Sequence, residues 1–127
     1  MKTVGVSLAI SCLVAALMAA NAAAAGTDPV HGKTVFARCV ACHDLNTGVT
    51  RLGPSLKGVI GRKSGSVAGF AYSPALKGSN LVWNTATLDG YLASPMKYIP
   101  GSRMPFAGLP NAQDRADLIA YLEQSAR

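Results

Sequence analysis

Metal-ligating side chains are scarce in this 127-residue chain, which has two histidines and three cysteines. A structural zinc site wants four such ligands. Beyond the first 25 residues, only His31 lies outside the stretch Cys39-Val40-Ala41-Cys42-His43, so zinc is disfavoured. Runs of valine and isoleucine are also missing, and nothing reads as a buried parallel strand. A thioredoxin-like cysteine pair therefore lacks the βαβ context it needs. Gly61-Arg62-Lys63-Ser64 resembles a phosphate loop only superficially. That pattern requires glycine directly before Lys-Ser and another five residues earlier, and neither is present. There is no internal repeat and no second Cys-x-x-Cys-His.

What is present is Cys39-x-x-Cys42-His43. This is the spacing at which two thiols bond covalently to a haem and the adjacent imidazole ligates its iron. In a helical segment, residues three apart share a face, so Cys39 and Cys42 can reach one edge of a planar ring while His43 turns beneath it. One motif implies one haem c and a redox role. About one hundred residues follow the N-terminal segment, enough for one domain. So small a domain buries limited apolar area, and an enclosed haem would complete its core. Such a ring also gives the irregular, glycine-rich stretch from Gly53 to Gly69 something to pack on.

Residues 1–25 read as a secretory signal. Lys2 supplies the positive start, Val4 to Ala20 is nearly continuous apolar sequence, and Ala20-Asn21-Ala22 and Ala23-Ala24-Ala25 are small-residue cleavage sites. Cys12 lies inside the apolar run and would leave with it. An uncleaved anchor is the alternative, since the run approaches the ~20 residues that span a bilayer; alanine richness and tandem cleavage sites favour cutting. The expected organisation is a signal over 1–25 and a haem domain over 26–127.

Three helices are legible. Asp28 before Pro29 is an N-cap followed by a first-turn proline. It opens a helix with Val35, Phe36, Cys39 and Val40 on one stripe and the haem motif at its end. Thr85 to Ala93 carries Leu88, Tyr91 and Leu92. Asn111 caps a third helix with Asp114 three residues on, a box-like start, and Leu118, Ile119 and Leu122 at helical spacing. Nothing reads as a sheet.

A second axial ligand must come from elsewhere. Met96 follows Pro95 and can occupy the first turn of a short helix, as packing material. Met104 stands in Pro100-Gly101-Ser102-Arg103-Met104-Pro105-Phe106, where two prolines and a glycine forbid a continuous helix. Met104 is the expected ligand, and His/Met ligation raises the reduction potential. His31 is the weaker candidate and reads as a surface residue.

Taken together, these residues resemble the class I cytochromes c, the mitochondrial-like group that includes soluble bacterial carriers. The likeness rests on Gly32-x-x-x-Phe36-x-x-Cys39-x-x-Cys42-His43 and on Gly53-Pro54-Ser55-Leu56-x-Gly58-x-x-Gly61-Arg62-Lys63-Ser64-Gly65. Gly69-Phe70-Ala71-Tyr72, Trp83, Tyr98 to Phe106 and Asp117-Leu118-Ile119-Ala120-Tyr121-Leu122 follow in the family order. The resemblance implies an all-α class I cytochrome c fold of three to five helices around one covalently bound haem c. It further implies that the Pro54 carbonyl accepts the His43 imidazole N–H, fixing its orientation. Arg62, Tyr72 and Trp83 would donate hydrogen bonds to haem propionates. Tyr91 would lie beside the methionine sulfur and Ser102 at the haem edge, with Gly32 and Tyr121 where the terminal helices cross. Two departures stand out: Met96 where many members place a docking lysine, and Leu76 where many have asparagine.

Charge bears on partners. Removing Lys2 with the leader leaves eleven basic residues against six acids, a net +5. Arg38, Arg51, Lys57, Arg62, Lys63, Lys97 and Arg103 bracket the segments expected around the haem edge and can steer docking onto acidic faces. An exported protein has little use for nucleic acid. The implied function is a monomeric periplasmic electron carrier. Its donor would be a membrane cytochrome bc complex or periplasmic dehydrogenase, its acceptor a terminal oxidase or photosynthetic reaction centre. With both axial positions filled it is no enzyme. The rival is a haem peroxidase or gas-binding sensor with a labile methionine. Such a site would usually want a distal histidine or arginine above an open iron site, and the Met104 segment contains no histidine.

Overall fold

The fold follows from a series of local start signals, described here in a computed structural model for residues 26–127. The expected signal segment and Cys12 lie outside the described residues. Helix α1, Pro29–Phe36, begins where the Asp28 carboxylate accepts the backbone N–H groups of Val30 and His31 at 2.9 and 3.2 Å. Helix α2, Pro74–Gly78, has Ser73 as cap and proline in its first turn. Its Ser-Pro start is a legible signal that sequence reading passed over. Helix α3, Thr85–Ala93, matches the expected span. Asn84 and Thr87 each cap the other's backbone N–H there, a reciprocal box. Helix α4, Pro95–Tyr98, is a single turn, and α5, Ala112–Ser125, closes the chain.

Two expectations about these elements need correction. Helix α1 stops at Phe36 rather than continuing into the haem motif. The N–H groups of Ala37, Arg38 and Cys39 turn to carbonyls three residues back, at 3.2, 3.2 and 2.8 Å, which tightens the chain into successive turns. Asp114 does not complete a box at α5: Asn111 accepts from the Gln113 and Asp114 N–H groups, but the Asp114 side chain faces His31 at 4.0 Å. Among the described residues there is no β-strand; an isolated antiparallel bridge joins Lys63 to Val82.

The terminal helices α1 and α5 cross at Gly32. A Cβ on this residue would overlap the Asp117 backbone carbonyl and come within 2.9 Å of the Tyr121 Cβ. Phe36 and Tyr121 pack beside the crossing, ring centroids 5.6 Å apart. Helix α3 lies against α5, where Thr85 donates to Glu123 at 2.7 Å and Arg115 pairs with Asp89 at 2.7 Å. Arg115 also donates to the Leu109 and Pro110 carbonyls, fixing the segment that leads into α5. The core joins helix residues Val35, Phe36, Leu88, Tyr91, Leu118, Ile119 and Leu122 with loop residues Leu45, Val59, Trp83, Ile99 and Leu109. Loops supplying so much of the core explain how a chain with short helices holds its irregular middle in place.

Candidate functional site

The Cys39–His43 segment is held by backbone bonds to its own turn and to the loop that follows. Cys42 and His43 both donate to the Cys39 carbonyl, at 3.1 and 2.9 Å, so one helical turn survives beyond the end of α1. Gly53 donates to the Cys42 carbonyl at 2.8 Å, drawing residues 51–54 alongside. Both cysteines are half-buried and unpaired, and burial pushes the Cys39 thiol pKa up.

The His43 Nδ1 lies 2.7 Å from the Pro54 carbonyl oxygen. A carbonyl can only accept, so Nδ1 carries the proton and Nε2 keeps its lone pair for a metal. Gly53 completes the seat. A Cβ there would overlap the His43 ring, approaching Nδ1 to 2.8 Å and Nε2 to 2.9 Å, so the backbone itself is a wall of the imidazole slot. Sequence reasoning named Gly53 only within a motif; glycine directly before Pro54 was the available signal.

Arg62 is half-buried, and burial lowers its pKa. Its guanidinium donates to the Ser55 and Lys57 carbonyls at 2.8 and 2.9 Å, tying residues 55–62 into a loop. Tyr72 is buried, its hydroxyl accepting the Val67 N–H at 3.2 Å and its ring edge-on to Phe70. Trp83 is buried too, and its backbone pairs with Gly61 and Arg62 at 2.7 and 2.9 Å, so it and Arg62 are neighbours.

Trp83 also packs on Tyr91, centroids 5.1 Å apart, and Tyr91 in turn meets Tyr98 edge-on at 6.5 Å. Tyr91 and Ser102 are both buried, and their hydroxyls bond at 2.8 Å. Burial raises the Tyr91 pKa, with the Ser102 bond acting the other way. Met104 is half-buried against the core in a non-helical segment, with exposed Arg103 beside it. Leu76 likewise packs on the core. Met96 lies in the α4 turn and is 54% exposed, so it is surface rather than packing material.

His31 is exposed, as expected, but its Nδ1 lies 2.8 Å from the buried carboxylate of Asp117 on α5. Sequence reading missed this partner because the two are 86 residues apart.

The donor set suits a covalent haem: two unpaired thiols one turn apart, an imidazole whose Nδ1–H is held by a carbonyl so that Nε2 is free, and a glycine that leaves room for that ring. The comparisons agree. The family model described as Cytochrome c matches residues 29–126. Cytochrome c type-1 of Ascaris suum is 53% identical over 101 residues, covering 79% of this chain and 90% of the relative. Cytochrome c2 of Rhodomicrobium vannielii is 46% identical over 117 residues, covering 91% and 94%. The solved structure of cytochrome cH from Methylobacterium extorquens superposes with a TM-score of 0.72 at 43% identity, covering 76% of this chain and 97% of that one. The chain therefore belongs to the cytochrome c family, with the class I fold, and its members bind a covalently attached haem c and carry electrons rather than act as enzymes.

Proposed function

We propose that this protein is an exported bacterial carrier that takes single electrons from a cytochrome bc complex or periplasmic dehydrogenase and delivers them to a terminal oxidase or photosynthetic reaction centre. The observation that carries the reading is the His43 seat: Nδ1 at 2.7 Å from the Pro54 carbonyl, with the Gly53 backbone against the ring. An imidazole fixed in this way presents Nε2 in one orientation through many redox cycles.

Cys39 and Cys42 would hold the haem by thioethers, and His43 and Met104 would ligate its iron. The bound haem supplies an iron that cycles between ferric and ferrous states. The remaining residues keep that cycle free of rearrangement. Arg62, Tyr72 and Trp83 would offer N–H and O–H donors to the propionates, which need partners to stay charged when buried. Tyr91, anchored by Ser102, would stand beside the Met104 sulfur and tune the potential.

Arg38, Arg51, Lys57, Lys63, Lys97 and Arg103 are exposed. They support docking onto acidic faces of redox partners, at rates that fall with salt. The apolar composition of residues 1–25 supports export by a signal peptide.

The test is near-infrared absorption of the ferric protein followed by carbon monoxide addition to the ferrous form. A weak methionine-to-iron charge-transfer band with no carbon monoxide shift is expected. A missing band with ready carbon monoxide binding would discard Met104 as a firm ligand and move the reading to a peroxidase or gas sensor.

A further inference from the structure

The α1–α5 crossing contains a charged cluster that electron transfer does not use. Asp117 is 3% exposed, yet it sits in mid-helix on α5 among apolar neighbours. Three donors converge on its carboxylate: the Asp28 backbone N–H at 2.7 Å, His31 Nδ1 at 2.8 Å and the Gln113 side-chain amide at 2.8 Å. Gln113 also donates to the Gly26 carbonyl at 3.2 Å. Asp28 and the first turn of α1 are thus bound to one buried carboxylate on α5, and Gly26 is tied to it through Gln113. The charged groups facing His31 are Asp28 at the N-cap and Asp114 and Asp117 on α5, with Asp114 at 4.0 Å from Nε2. All three are acidic.

We propose that His31 and Asp117 form a pH-gated clasp between the terminal helices, closed when the imidazole is protonated and loosened when it is neutral. In the closed state Nδ1–H donates to Asp117 and the positive charge offsets the acidic cluster. In the neutral state the three carboxylates around the ring lack that compensating charge, although the Asp28 N–H and Gln113 still hold Asp117.

The two groups set the working window. The hydrogen bond to Asp117 raises the His31 pKa above its ordinary 6.5, against a smaller opposing effect of desolvation. A group whose folded pKa is raised contributes stability that is complete below the unfolded value and lost as pH rises through the folded value. For Asp117, the Asp28 N–H and then the His31 bond hold the carboxyl below its ordinary 3.8. Its contribution is present above that value and is lost as pH falls through the depressed folded pKa. The clasp is therefore complete between these limits, across the mildly acidic range. Helix α1 ends at Phe36, whose carbonyl accepts the Cys39 N–H at 2.8 Å, so the clasp holds the helix from which the turns carrying Cys39 and Cys42 lead on.

The chain has two histidines, which makes the test direct. Imidazole resonances of the reduced, haem-loaded protein are followed by NMR across pH in wild type, His31→Gln and Asp114→Asn. Guanidinium unfolding of wild type, His31→Gln and His31→Lys is measured at about pH 5.5 and about pH 8.5, on either side of the ordinary imidazole value. The expected result is one titrating imidazole, absent in His31→Gln, with a midpoint above 6.5 that falls in Asp114→Asn. Wild type should lose stability from the lower to the higher pH, His31→Gln should not, and His31→Lys, charged throughout, should keep its stability at the higher pH. A midpoint at or below 6.5, or equal pH dependence in wild type and His31→Gln, overturns the clasp. A second titrating imidazole that persists in His31→Gln would refute His43 ligation instead, leaving the clasp judged by its own resonance.

Discussion

Replacing Gly32 with alanine sets two effects of opposite sign against each other, and the structure decides between them. Glycine in a helix interior is ~0.8–1.0 kcal/mol less favourable than alanine, so propensity alone expects Gly32→Ala to stabilise α1. The new Cβ, however, would overlap the Asp117 carbonyl and approach the Tyr121 Cβ to 2.9 Å. The obstructing atom is helix backbone, which cannot swing aside as a side chain can, so α1 and α5 must separate. Overpacking costs ~1–3 kcal/mol and occasionally more. A backbone obstacle places this site at the upper end, about 3 kcal/mol, because relief requires moving a whole helix. Subtracting the propensity gain leaves a net loss of about 2 kcal/mol. For a domain of this size that lowers Tm by about 8–16 °C. Gly78, the last residue of α2, is the control, since nothing lies within 4 Å of a Cβ built there. Gly78→Ala should leave Tm unchanged or raise it slightly. The assay is thermal unfolding of the haem-loaded proteins by circular dichroism. A Gly32→Ala variant as stable as wild type would refute the argument, because it would mean that the helices part at no cost.

Two other predictions concern the candidate site. Tyr91→Phe strands the buried Ser102 hydroxyl and Ser102→Ala strands that of Tyr91, each expected to cost about 1–3 kcal/mol in unfolding by denaturant. The double variant should cost less than the sum of the two; additive losses would show that the 2.8 Å bond couples nothing. In Gly53→Ala the added methyl would strike the His43 ring, so the imidazole should shift off the Pro54 carbonyl, with an altered visible spectrum and a stability loss of ~1–3 kcal/mol. An unchanged spectrum and Tm would show that the ring slot is roomier than described.

The sequence by itself determined what depends on short range. Asp28-Pro29, the span Thr85–Ala93 and the Asn111 cap are decided by residues within one turn of each other, so their helices were legible without the fold. Cys39-x-x-Cys42-His43 is as local, since its chemistry is encoded in spacing alone. Only tertiary structure decided where α1 ends, because nothing in Ala37-Arg38-Cys39 forbids another helical turn. Only the fold joined His31 to Asp117, 86 residues apart, and made a surface histidine a link between helices. It likewise bonded Tyr91 to Ser102 and set Gly32 against the Asp117 backbone. These are contacts between separate elements, and their geometry is fixed by how the whole core packs rather than by any pattern along the chain.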